Sequence, residues 1–426
     1  MLNLVSSRMA VLLATVLLLV TRAVPASATD ITFMVFGDPA EKAAYETLAA
    51  EFMTKRADIV VQLTHIPGQS EYRKRLATDF AAGIPADITL INYRRYAGFA
   101  AKDVLEPLGP YLDRSSKLSA SDFYQEAMAP YLWKGAMMCL PQNLSSLVVY
   151  YNEKLFDEAG LAYPSDDWSW NDLVSVAKKL TRDIDGDGVS DQFGIGTEVS
   201  IFRLAPLIWQ NGGDIVDDPA APTTLTLSSP AAREALQWFV DLQVLHKVMP
   251  DRISEASEDS ETRFQNGRLA MYLNSRRGVP AYREITSFRW DVAPLPQGKQ
   301  RAGILHADAF CMARATTNKE AAWAFIEFAM SSEGQTILAK SGRTVPSMIS
   351  VANSTAFLDP AVPPSRSAVF LDGIPHIRSV PVMETWVDIE NTVGKELERA
   401  VYGDASVDEV IETATRRTLE YFQRTQ

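Results

Sequence analysis

The stretch TRDIDGDGVSDQFGIG, residues 181–196, places oxygen ligands at alternate positions: Asp183, Asp185 and Asp187, then Gly188, then Asp191. A calcium loop needs alternating oxygens, a glycine at its sixth position and a bidentate carboxylate at its twelfth. Counted from Asp183, the alternation, Gly188 and Asp191 at the ninth position are present, but the twelfth residue is Gly194. The pattern fits either a weak structural calcium site or an aspartate-rich turn whose carboxylates bond their own backbone. No paired loop follows, so a calcium sensor is not expected.

Other chemistry is sparser. His65, His246, His306 and His376 show no HxH or HExxH spacing, which leaves histidine-based metal catalysis without support. The sequence has no GxSxG, Walker loop, GxGxxG or zinc spacing. Two catalytic carboxylates could be chosen from 53 acidic residues, so that choice carries no information. Cys139 and Cys311 read as buried free thiols or as one disulfide. Trp209 precedes the turn NGGD and Trp386 follows Pro381. Each reads as core or as a flat platform for a sugar ring. Asp38, Tyr93-Arg94-Arg95 and Asn143 follow strand-like runs, where open α/β sheets bind ligands. Arg276-Arg277 follows LAMYLN and offers forked donors to hydroxyls, carboxylate or phosphate, or else forms a plain surface pair.

The elements that position these residues are legible. ITFMVF (31–36), AEKAAYETLAAEFMTKR, DIVVQLTH, SEYRKRLATDFAAG and ADITLI alternate strand, helix, strand, helix, strand, the pattern of a parallel sheet covered by helices. Helix starts are read at Ser169, at Ser229-Pro230, at Thr317 ahead of AAWAFIEFAM, at Ser332 and at Ser406. No linker-like tract divides the 426 residues, so two lobes would be traversed more than once. Arg8, the ten-residue apolar run VLLATVLLLV and the small-residue end VPASATD read as a secretory signal peptide over residues 1–28, too short to span a bilayer. The formal net charge of −12 argues against nucleic acid and anionic membranes as partners.

In this order the segments resemble the extracellular solute-binding proteins of bacterial carbohydrate ABC importers, the class that includes maltose-binding protein. The stretches that carry the resemblance are FGDPAEKAAYETLAAEF, ADITLINYRRYAGFAAKDVLEPL, CLPQNLSSLVVYYNEKLFDEAGLAYPSDDWSWNDLVSVAKKLT, DIDGDGVSDQFGIG, LIWQNGGDIVDD, GRLAMYLNSRRG, WDVAPLP and NKEAAWAFIEFAMSSEGQTILAKSGRTVPS. The resemblance covers essentially the whole chain after the leader. It implies an α/β periplasmic-binding-protein fold of type II, with two discontinuous lobes, a hinge and a ligand cleft. The first lobe would be 29–141 plus 308–355 and the second 142–307 plus 356–426. It also implies that Cys139 and Cys311 lie on neighbouring strands near the hinge, where a bridge can form.

By match to the family pattern, Asp38, Tyr93, Asn143, Trp209, Asp308 and Trp386 are expected ligand-binding residues; Arg94, at its strand end, and Arg277, after LAMYLN, join them. Asn143 stands where many relatives carry aspartate, and Arg277 where relatives often carry a stacking tryptophan. The implied function is a periplasmic, monomeric receptor that delivers a mono- or oligosaccharide to permease subunits in the inner membrane. No catalysis and no required cofactor are expected, with at most a structural calcium. The rival readings are a receptor for an anionic ligand (sugar acid, sugar phosphate or glycerol phosphate) and a secreted glycoside hydrolase.

Overall fold

The computed structural model describes residues 28–424, so the leader expected over residues 1–28 falls outside it but for Ala28. Among the described residues no helix is long and apolar enough to cross a membrane.

Two separate sheets organise the chain. The first runs in the order 59–66, 29–36, 88–92, 308–313, 105–106, with 139–141 also pairing with 308–313. Thr29–Phe36 is parallel to both Ile59–Ile66 and Ile88–Asn92, whereas Asp308–Ala313 enters antiparallel to its neighbours. The second sheet has the order 290–293, 148–152, 269–274, 193–196. The first sheet takes strands from 29–141 and again from 308–313, with the whole second sheet lying between them in 148–293, so the chain leaves the first body and returns to it. The connecting stretches lie side by side: Asn143 bridges to Pro346, Ser145 bridges to His306, and the Gln142 amide donates to the Asp308 carbonyl at 3.0 Å.

The helices form where the sequence supplies starts and an apolar face. Pro39–Lys55 begins with proline in its first turn and is capped by Asp38, whose carboxylate accepts from the Glu41 amide at 2.9 Å. Its buried Tyr45, Leu48, Ala49 and Phe52 return at helical spacing onto the first sheet. Gln69–Ala81 ends at Ala82, and Gly83, at φ +72°, turns the chain into the next strand, a conformation costly for other residues. Ser169, Ser229 and Ser406 cap Trp170–Leu180, Pro230–Val244 and Val407–Gln423. Two starts differ from expectation by one residue. Lys319–Met330 starts after Asn318 with no side-chain cap, and Ser331, not Ser332, caps the following helix. Helix Trp386–Val401 packs on Ile201–Gln210, Pro230–Val244 and Val407–Gln423 of the second body, and also touches Tyr93–Ala100 of the first.

Candidate functional site

A cavity of about 540 Å³ lies between the two sheets and takes its walls from both bodies. On the first side stand Arg73 of Gln69–Ala81, Asn92 at a strand end, and Arg94 and Arg95 at the start of Tyr93–Ala100. Glu198, Phe202 and Arg203, at the start of Ile201–Gln210, face them with Arg277 and with Glu390 of Trp386–Val401. Asn143, Ser145, His306 and Asp308, from the crossing segments, supply the floor. The polar groups collect here because several strands and helix starts end at this level, which leaves side chains aimed outward from the sheets.

Arg94 joins the two sides. Its Nη1 donates to Glu390 Oε1 at 2.5 Å, and its guanidinium lies 3.7 Å from the centre of the Phe202 ring. Asn92 Oδ1 accepts from the Arg94 amide and Nε, and Asn92 Nδ2 donates to Asp308 Oδ1 at 3.2 Å. Asn143 Oδ1 accepts from the Asp308 amide at 2.8 Å. Arg277 donates to Asn274 Oδ1 and to Glu261 Oε2, at 3.3 and 3.2 Å. Arg343 reaches across: its Nη1 donates to Asp38 Oδ2 at 3.0 Å and to the Arg277 carbonyl at 3.2 Å, while its Nε lies 2.5 Å from Glu41 Oε2.

Burial pushes the Asp308 carboxyl above its ordinary range, against the pull of the Asn92 amide and nearby arginines. His306 moves the other way. Burial, then the positive charges of Arg203 and Arg94, hold its imidazole well below the usual value, against a weaker opposing pull from the Ile304 carbonyl. Arg203 Nη1 lies 3.2 Å from His306 Nε2, so Nε2 accepts and the Nδ1–H faces the Ile304 carbonyl at 3.4 Å. The unfolded chain thus takes up this proton first as pH falls below about 6.5, which removes stability on acidification. Phe202 lies edge-on to the ring, and the charged groups that act on it most strongly, Arg203, Arg94 and Arg277, all disfavour the charged form. The expected result is a melting temperature that drops between about pH 7 and pH 5, with a smaller drop in His306→Gln. Equal slopes in both proteins would contradict the assignment.

The expected ligand-binding residues divide into two groups. Arg94, Asn143, Arg277 and Asp308 line the cavity. Tyr93, Trp209, Trp386 and Asp38 do not. Tyr93 is fully buried behind the wall, its hydroxyl accepting from the Val380 amide at 3.4 Å. Trp209 is 1% exposed: its Nε1–H donates to Asp214 and Arg378 covers its face, so the indole fills core and offers no platform. Trp386 is likewise buried, at the first position of its helix. Asp38 caps a helix and pairs with Arg343 from behind the wall. Arg73, Glu198, Arg203, His306, Arg343 and Glu390 were not singled out by sequence. Arg95 was, as Arg94's neighbour.

Cys139 and Cys311 form a disulfide, lying opposite each other where Cys139–Pro141 pairs with Asp308–Ala313. The aspartate loop stands apart from the cavity and is exposed. Asp183 accepts from the Gly186 and Gly188 amides, Asp187 from the Val189 amide, and Asp191 from the Ile184 amide. Candidate ligand oxygens of Asp183, Asp185 and Asp187 lie within 4.8 Å of one another, so the turn presents a carboxylate cluster as well as closing its own backbone. Chelation with EDTA is expected to leave ligand affinity unchanged, by calorimetric titration. A tenfold loss would tie the loop to the site.

Residues 37–336 match the family described as bacterial extracellular solute-binding protein. A binding protein of Brucella abortus (strain 2308) is 25% identical over 381 residues, 88% of each chain. The sn-glycerol-3-phosphate-binding periplasmic protein of Escherichia coli (strain K12) is 23% identical over 269 residues, 59% of this chain and 57% of its own. An ABC substrate-binding protein of Listeria monocytogenes, solved in complex with cycloalternan, superposes with a TM-score of 0.85 at 25% identity, over 94% of this chain and all of that one.

Proposed function

Because the chain belongs to the bacterial extracellular solute-binding protein family, we propose that it captures a carbohydrate between its two lobes and hands it unaltered to the membrane subunits of an ABC importer. The observation that carries this reading is the cavity itself: about 540 Å³, walled by residues of both sheets and floored by the segments that connect them. That volume suits a ligand of one to a few sugar rings. Asn143, Asp308, Glu198 and the arginines supply directional donors and acceptors for hydroxyls. Because these bonds come from both sides, full affinity exists only when the lobes are closed, so ligand shifts the chain toward a closed shape that a permease can read. The neighbour solved with cycloalternan supports a carbohydrate as the guest.

The reading places the protein outside the cytoplasm, in keeping with the family and with the leader-like start of the sequence. It assigns no bond-breaking step. Thermal-shift screening of a panel of neutral and anionic sugars, followed by calorimetric titration of the strongest hit, tests it. A dissociation constant near the micromolar range, about −8 kcal/mol, is expected, with the sugar recovered chemically intact. Failure of every sugar to bind, or conversion of the recovered sugar, would overturn the reading.

A further inference from the structure

We propose that the ligand carries an anionic group, a phosphate ester or a carboxylate, held against the first lobe by Arg73, Arg94 and Arg95. The proposal rests on the reading that the cavity is the solute site, and it adds the chemical class of the solute.

The charges that line the cavity are unevenly matched. Arg343 is met from behind by Asp38 and Glu41, Arg277 by Glu261, and Arg203 by Glu198. Arg94 is met by Glu390. Arg73 and Arg95 also line the cavity, and among the described residues neither has a carboxylate within ion-pair distance. Arg73 donates only to the neutral Gln69 Oε1, at 2.7 Å. Arg95 Nη1 is buried with no hydrogen-bond partner. The one cavity carboxylate left over is Asp308, and burial favours its neutral form.

Three guanidinium groups on one wall of the cavity, matched by a single bonded carboxylate, are an unbalanced arrangement. Burial, then Arg94 and Arg73, push Arg95 down to about 10, the direction expected when like charges crowd a partly buried site. A buried donor without an acceptor is costly, and a ligand oxygen would remove that cost on binding. Guanidinium forks match the spread oxygens of phosphate and carboxylate equally well, which is why the two sources share this site chemistry. The remainder of the ligand would extend toward Asn143, Glu198 and Arg277 on the far side.

The test uses the full-length secreted chain, with Arg73→Gln and Arg95→Gln beside it, and inorganic phosphate as the first probe. Millimolar phosphate is expected to raise the melting temperature of the parent protein and of neither variant. Without phosphate, Arg95→Gln should melt at or above the parent, because its guanidinium leaves no bond behind; a structural arginine would give a fall. Calorimetry then compares glucose 6-phosphate and glucuronate with glucose. At least one anion should bind about tenfold or more tighter than glucose, with that gap collapsing in Arg95→Gln. The preferred anion separates a phosphate site from a carboxylate site. No phosphate response, or a response retained by both variants, overturns the proposal. Neutral sugars that bind without competition from any anion do the same, and leave the carbohydrate reading standing. Phosphate that binds at these arginines while no sugar or sugar derivative does would instead keep the anion site and overturn the carbohydrate reading.

Discussion

Replacing Arg343 by methionine is expected to destabilise the protein by roughly 3 kcal/mol near pH 8, the usual cost of breaking a buried ion pair by removing one partner. Arg343 lies 3.0 Å from Asp38 and 2.5 Å from Glu41, and its side chain is 13% exposed, so water replaces little of what is lost. Methionine keeps most of the volume, which separates charge from packing. The deficit should depend on pH with a defined sign. Burial holds Glu41 up to about 7 even with Arg343 drawing it down, against about 4.5 in the unfolded chain. A carboxyl that binds its proton more readily when folded loses stability as pH rises through that window. Without Arg343 the folded value rises further and the loss deepens. Denaturant unfolding at about pH 5 and pH 8 should therefore show the variant closer to the parent at the acidic value. An equal deficit at both would mean that Glu41 is not the uncompensated group.

The second large effect concerns Cys139 and Cys311. Their bond closes a loop with a sequence separation of 172, and a cross-link of that span restricts the unfolded chain strongly. The double variant Cys139→Ala/Cys311→Ala is expected to lose about 2–5 kcal/mol in denaturant unfolding under non-reducing conditions. Both residues are fully buried, and alanine leaves no unsatisfied polar atom, so the loss reports the cross-link together with a small packing term. The bridge also fixes the strands that lead to the cavity floor. Ser347 Oγ donates to the Pro141 carbonyl at 2.6 Å, two residues beyond Cys139. An unchanged midpoint would show that the remaining contacts between Cys139–Pro141 and Asp308–Ala313 already hold the crossing.

The sequence made the architecture readable because its signals are local. Short apolar runs marked three strands of the first sheet, 29–36, 59–66 and 88–92, and serines at 169, 229 and 406 marked helix starts that the structure contains. Part of the site was readable for the same reason: Arg94, Asn143 and Arg277 lie near strand ends and reach the cavity, as does Asp308, which only the family resemblance pointed to. The tryptophans misled. An indole near a turn can stack on a ligand, but its large apolar surface is just as well used in core. Trp209 found Asp214 five residues on and Arg378 from far along the chain, which closed both its polar edge and its face. Arg343 and Asp38 are 305 residues apart, and Arg94 and Glu390 are 296 apart. No spacing rule connects such pairs; only the crossing of the chain between sheets brings them together. The cysteines show the same limit. Residue type alone left them as thiols or a bridge, and strand register decides which.

Calorimetric titration of Asp308→Ala and Trp209→Phe, side by side with the parent protein and its best-binding sugar, tests most directly where the solute sits. Binding in the cavity between the lobes predicts a loss of about tenfold or more for Asp308→Ala, which removes a carboxyl from the cavity floor, and little change for Trp209→Phe. The reverse pattern, with Trp209→Phe losing the sugar and Asp308→Ala keeping it, would contradict the account.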